Sequence, residues 1–343
     1  MQQLSVPSLA ERVPQMSGAE MAASLVPPRQ FADATLENYR PDPDYPSQAQ
    51  AVAKVRAFVE TWKGAGGGRF GRRRAPAAKP GLYLDGGFGV GKTHLLAGLW
   101  KLAPGRKYFG TFIEYTALVG ALGYAAAVKL LSGASLLAID EFELDDPGDT
   151  MLMSRLLGEL TASGTRIAAT SNTPPNALGE GRFAASDFLR EIQSMADRFE
   201  IVRIDGLDYR HREVAGHAPT LDEDAFDAAI TDAASAGTAG SVTADDFRSL
   251  LAHLATVHPS RYVKLVDGLD TVGLRSVRTL GDQSDALRFV ALVDRLYDAQ
   301  VRVLGTGTPL DSVFGEEMLA GGYRKKYLRA VSRLIAMTTG QPE

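Results

Sequence analysis

Between a short apolar run and an apolar helical segment lies Gly86-Gly87-Phe88-Gly89-Val90-Gly91-Lys92-Thr93, followed directly by His94. Leu82-Tyr83-Leu84 before it reads as a buried central strand, and Leu95, Leu96, Leu99 and Leu102 after it recur at helical spacing. The glycines let the loop backbone turn its N–H groups inward, and the helix adds the positive end of its dipole. A polyphosphate fits such a loop. Lys92 would reach the β- and γ-phosphates, and the Thr93 hydroxyl would ligate Mg2+. A chance glycine-rich turn accounts for neither flank, so a nucleotide site is expected over residues 86–94.

A second apolar run, Leu136-Leu137-Ala138-Ile139, ends in Asp140-Glu141-Phe142. At the carboxyl end of a strand, Asp140 would hold Mg2+. Glu141 beside it is placed to polarise an attacking water as general base, which points to hydrolysis rather than binding alone. Arg166-Ile167-Ala168-Ala169-Thr170-Ser171-Asn172 is another strand with a polar end, and Asn172 fits the residue that orients the lytic water. Arg182, Arg190 and Arg198 follow. An arginine supplied to a neighbouring subunit's γ-phosphate is worth about three to five decades in turnover, and Arg182 is the expected one. Strands alternating with helices require a parallel sheet with ligands at the strands' carboxyl ends. The expected fold is therefore α/β, a P-loop NTPase with a parallel sheet and flanking helices.

Along the chain, residues 1–28 have mixed polarity and read as a mobile N-terminal arm. Residues 29–215 hold the ATPase core. Three prolines make 31–48 an extended loop, and Ser47 caps a helix with Val52, Val55, Val59 and Trp62 on one face; such a segment upstream of a phosphate loop covers the base. Arg69, Arg72, Arg73 and Arg74 lie in a Gly- and Arg-rich linker. Residues 216–243, rich in Ala, Asp, Thr and Gly, read as a second linker. Residues 244–343 are expected to complete the ATPase sheet and to end in a helix. That helix carries Arg329 and Arg333, either of which could contact phosphates as a second sensor, with Arg333 the choice.

Composition closes off other chemistries. The 343 residues contain no cysteine, which removes disulfides, thiolate zinc sites and cysteine nucleophiles. Five scattered histidines offer no metal spacing. A net charge of −4 gives no long-range attraction to nucleic acid. No apolar run approaches the ~18 residues of a membrane span, and the N-terminus lacks a signal-peptide core. A cytoplasmic location is expected.

On these residues the chain resembles the ZapE-type AAA+ ATPases, a bacterial cell-division group with mitochondrial relatives. The resemblance covers about Phe31 to Met337. It rests on Tyr39-Arg40-Pro41-Asp42-Pro43 with Pro46-Ser47-Gln48, the string at 86–94, Phe112-Ile113-Glu114-Tyr115 and Ile139-Asp140-Glu141-Phe142. Ala169-Thr170-Ser171-Asn172 with Pro174-Pro175, Asp208-Tyr209-Arg210, Arg288-Phe289, Leu296-Tyr297-Asp298 and Ser332-Arg333-Leu334 complete it. The resemblance implies an ATP- and Mg2+-dependent ATPase of additional-strand type. It also implies a homo-oligomer with an arginine supplied in trans, recruitment to the division site, and action on the FtsZ ring. The segment between Pro175 and Phe188 is longer than the family's arginine-bearing stretch, which makes Arg190 the substitute for Arg182. Two other functions share these motifs. A helicase-loader-like ATPase would touch DNA through the arginines at 69–74. A small-molecule kinase would need an acceptor site, for which no pattern is present.

Overall fold

The computed structural model describes residues 6–64, 79–144, 147–178, 188–206, 216–237 and 240–339. Among these, residues 17–27 and 31–206 build one unit, and residues 6–16, 28–30 and 216–339 build another.

The first unit begins with α1 (Gly18–Ala23) and α2 (Pro46–Gly64). It continues through β1 (Gly81–Gly86), α3 (Lys92–Leu102), β2 (Lys107–Thr111), α4 (Phe112–Leu122) and α5 (Tyr124–Leu131). β3 (Leu136–Asp140), α6 (Pro147–Ala162), β4 (Arg166–Ser171), α7 (Leu189–Ala196) and β5 (Phe199–Ile204) complete it. The five strands form one parallel sheet in the order β2-β3-β4-β1-β5. Every residue of β1 is buried, which explains why Leu82-Tyr83-Leu84 is an unbroken apolar run and does not alternate. Leu82 and Leu84 enter a core with Val55, Leu95 and Leu99, whereas Tyr83 meets Phe142 and Phe199 edge to face. With β4 inserted between β1 and β3, three carboxyl ends stand side by side: Asp85 is level with Ser171, and Ile139 with Ala169. On the outer edge of β2, the Phe109 N–H donates to the Leu25 carbonyl at 2.9 Å.

The second unit holds α8 (Glu223–Ala236), β6 (Val242–Asp246), α9 (Phe247–Leu254), α10 (Tyr262–Leu265), β7 (Thr271–Val277), α11 (Gln283–Asp298), β8 (Arg302–Gly307), α12 (Glu316–Ala320) and α13 (Arg324–Thr339). Its three strands bond to one another as a separate parallel sheet in the order β6-β7-β8. Residues 244–343 therefore do not complete the first sheet, contrary to the sequence reading.

Two further expectations change. Within 216–243, α8 is a regular helix capped by Asp222, whose side chain accepts the Ala225 N–H; this stretch is not a linker. Its Phe226 and Ile230 lie against Gly273 of β7, where any Cβ would collide with both. The amino-terminal arm is also packed from residue 6. The Ala244 N–H of β6 reaches the Pro7 carbonyl, and Asp245 accepts from Ser8 Oγ, the Leu9 N–H and the Ala10 N–H at 2.5–2.9 Å. Leu9 is fully buried in the second unit's core, a gain of about 2 kcal/mol for one leucine.

Candidate nucleotide site

Residues 87–91 turn from β1 into α3. Gly89 and Gly91 have φ of 74° and 78°, a left-handed backbone in which a side chain is strained. A Cβ at Gly91 would also strike the Tyr39 ring. No side chain caps α3 at Gly91, so the N–H groups of its first turn face the loop, the arrangement an anion needs.

Lys92 is 9% exposed. Its Nζ donates to the Gly86 carbonyl at 3.0 Å, to the Gly87 carbonyl, and to Asn172 Oδ1 at 2.9 Å. The Phe88 ring lies 5.7 Å from the same nitrogen. Burial pulls its pKa down to about 8, against the opposing pull of Asp140, Asp85, Glu141 and Glu143.

Thr93 Oγ1 donates to the two oxygens of Asp140 at 3.1 and 3.2 Å, and Thr170 Oγ1 donates to Oδ1. Burial, and then the neighbouring Glu141 carboxylate, push the Asp140 carboxyl up to about 6; the threonine hydroxyls and Lys92 counter this. Glu141 itself has φ of 54°. Its N–H donates to Thr170 Oγ1 at 3.0 Å, and the next N–H, of Phe142, to the Thr170 carbonyl at 2.7 Å. The left-handed residue falls between two buried side chains, Asp140 and Phe142.

A divalent cation fits this donor set. A buried carboxylate with a hydroxyl on it, next to a second acid, is a spot whose raised pKa a cation would relieve. No group of three or more acidic or His residues able to hold a metal occurs among the described residues. Mg2+ takes one or two protein oxygens and completes its shell with water and phosphates.

The segment upstream of the loop closes over it. Tyr39 OH donates to the Val90 carbonyl at 2.8 Å, and burial raises its pKa to about 12. His94 Nε2 lies 2.9 Å from both the Thr35 carbonyl and Asn38 Oδ1, so His94 holds this segment in place. Gln48 Oε1 accepts the Asp42 N–H at 2.8 Å, while its Nε2 donates to the Asp205 carbonyl at 3.0 Å.

The structure thus gathers the loop residues, Asp140 and Asn172, with Glu141 adjoining. Arg182, the arginines at 69–74 and Asp208-Tyr209-Arg210 fall outside the described residues. Arg190 is exposed on α7. With Pro80, Gln193, Ser194, Asp197 and Arg198 it lines a cavity of about 590 Å3 at the amino end of β1, the opposite end of the sheet from the loop. Arg333 belongs to the second unit, where Arg333 Nη1 and Arg329 Nη2 donate to separate oxygens of Asp294. Burial alone would raise the Asp294 carboxyl, but Arg329 and Arg333 hold it below the usual range. Sequence reasoning missed Tyr39 and Thr170 as site residues, although both stand inside the motifs it quoted.

Sheet order, loop and paired acids together define a P-loop ATPase with the additional strand β4. The chain belongs to the AFG1-like ATPase family, whose family model matches residues 16–236 and 223–342, and it is an ATP-hydrolysing enzyme. It is 29% identical over 296 residues to the cell division protein ZapE of Escherichia coli, covering 75% of this chain and 77% of that one. It is 24% identical over 299 residues to the lactation elevated protein 1 homolog B of Danio rerio, covering 72% of this chain and 59% of that longer one. A solved DnaC helicase loader overlaps 51% of this chain at 19% identity with a TM-score of 0.36, a likeness too loose to bear on what this chain does. Among the described residues no helix is long and apolar enough to cross a membrane.

Proposed function

We propose that this ATPase hydrolyses ATP at the 86–94 loop and uses the cycle to remodel a protein partner in cell division, the FtsZ ring. The observation that carries the site is the Lys92–Asn172 hydrogen bond of 2.9 Å, which joins the loop to the end of β4 beside the two acids. On this reading the loop N–H groups and Lys92 bind the phosphates. Thr93 and Asp140 would hold Mg2+, which supplies charge neutralisation to the phosphates when bound. Glu141 accepts a proton from the attacking water, and Asn172 orients that water. Tyr39 and the backbone around it bound the base.

The arginine acting in trans is Arg182 or Arg190. From the amino end of β1, Arg190 serves a neighbouring copy's site rather than its own, which requires a homo-oligomer. Arg333 is assigned as the second sensor, with Asp294 its hydrogen-bond partner within the second unit, which Arg329 shares. The division role is supported by the likeness to ZapE over three quarters of both chains.

The test uses Glu141→Gln. It should bind ATP with Mg2+ and turn over very slowly. With ATP it should retain FtsZ from a cell extract, while wild-type protein alters FtsZ polymers in light scattering only during hydrolysis. Normal turnover in Glu141→Gln contradicts the assigned base; unchanged polymers contradict the partner.

A further inference from the structure

Glu143 stands two residues beyond Glu141, and its carboxylate gathers the turn that ends β4. It accepts from Ser171 Oγ at 2.9 Å, from the Asn172 N–H at 3.3 Å and from Thr173 Oγ1 at 3.2 Å. Tyr83 OH donates to the Thr173 carbonyl at 2.8 Å and holds the turn from β1. One step earlier, Thr170 receives the N–H groups of Glu141 and Phe142. The acid loop and the end of β4 are therefore fastened at each of residues 170 to 173.

We propose that Glu143 is a positioning residue for ATP hydrolysis: it locks the Ser171–Thr173 turn so that Asn172 stands at a fixed offset from Glu141. The proposal rests on the assignment of those two residues to the lytic water. A carboxylate suits the task, because it offers about four acceptor sites and no donor to three converging donors, and such bonds are stronger than neutral ones. Glutamine offers a single acceptor oxygen. Because Glu143 lies two residues from the base, a shift of the turn changes the Glu141–Asn172 separation directly. An error of about 1 Å in such a separation can cost on the order of 10²-fold in rate.

The experiment compares Glu143→Ala, Glu143→Gln, Asn172→Ala and the double variant Glu143→Ala/Asn172→Ala in single-turnover ATP hydrolysis and nucleotide binding. Glu143→Ala should lower kcat by about 10- to 100-fold with nucleotide Kd changed less than about twofold. Glu143→Gln should recover part of that loss. The double variant should be no slower than Asn172→Ala alone, since both act through one group. If Glu143→Ala does not fold, Glu143→Gln and Ser171→Ala carry the same comparison. Losses that multiply in the double variant, a lower melting temperature with unchanged kcat, or a Kd rise matching the kcat loss would each overturn the proposal. Wild-type turnover in Asn172→Ala overturns it one step earlier, through the assignment it rests on.

Discussion

Lys92 Nζ and Asn172 Oδ1 meet at 2.9 Å across 80 residues of sequence, so the phosphate loop and the end of β4 share a hydrogen bond. Lys92 has a folded-state pKa of about 8, low for a lysine because it is buried. Below that pH it carries the charge that a triphosphate needs; above it, binding must also take up a proton. ATP affinity should stay flat from about pH 6.5 to about 7.5 and weaken by up to about tenfold per unit above pH 8. Fluorescent-nucleotide titration checks this, and Lys92→Met should bind weakly with that slope removed.

Asp140 behaves in the opposite sense. Its carboxyl is raised from 3.8 to about 6, so the folded protein binds more protons than the unfolded chain between those values. Folding stability contributed by this group falls as pH rises from about 4 to about 6 and stays low above that. Asp140→Asn, which keeps an acceptor for Thr93 and Thr170, should raise the melting temperature of nucleotide-free protein at neutral pH by several degrees. It should abolish turnover, and the stability gain should vanish near pH 4.

Asp294 carries two guanidinium groups, from Arg329 and Arg333. All three side chains are less than one-fifth exposed. Asp294→Ala takes the shared carboxylate from both cations and should destabilise the second unit by roughly 3–5 kcal/mol. Arg333→Ala leaves Arg329 in place and should cost far less stability while weakening ATP binding. Calorimetry and nucleotide titration of the two variants separate the roles; an Arg333→Ala variant with unchanged ATP affinity removes Arg333 from the sensor role.

Asp245 is 3% exposed and accepts three bonds from Ser8, Leu9 and Ala10. Asp245→Ala should destabilise the second unit by about 2–3 kcal/mol. Arg12, which donates to the Leu265, Asp267 and Gly240 carbonyls, should then become a fast trypsin site. Slow cleavage after Arg12 in that variant, as in wild type, contradicts the anchoring role of Asp245.

The loop at 86–93, the acids at 140–141 and Asn172 were legible because each sits at the end of an apolar run whose burial the run itself announces. The family resemblance was legible for the same reason and agrees with the family match. Which sheet a strand joins is not written in the strand: Val303 and Leu304 are as apolar as Leu82 and Leu84, yet they pair with β7. Helix α8 was hidden by its composition. Only Phe226 and Ile230 of its 14 residues are buried, and alanines supply the rest of its packing face. Glu143 was invisible because its meaning lies in three donors that arrive from β4. Arg12 and Leu9 had no pattern at all, since their partners lie more than two hundred residues away.

The Leu9 N–H and Asp245 lie 236 residues apart in sequence, which imposes an order on biosynthesis. The segment around Leu9 leaves the ribosome long before the strand that seats it, β6, has been made. At ~5–20 residues per second, a nascent chain carries an unseated Leu9 for some tens of seconds. Until β6 emerges Leu9 has no core to enter, and the second unit cannot finish folding before translation has passed that strand.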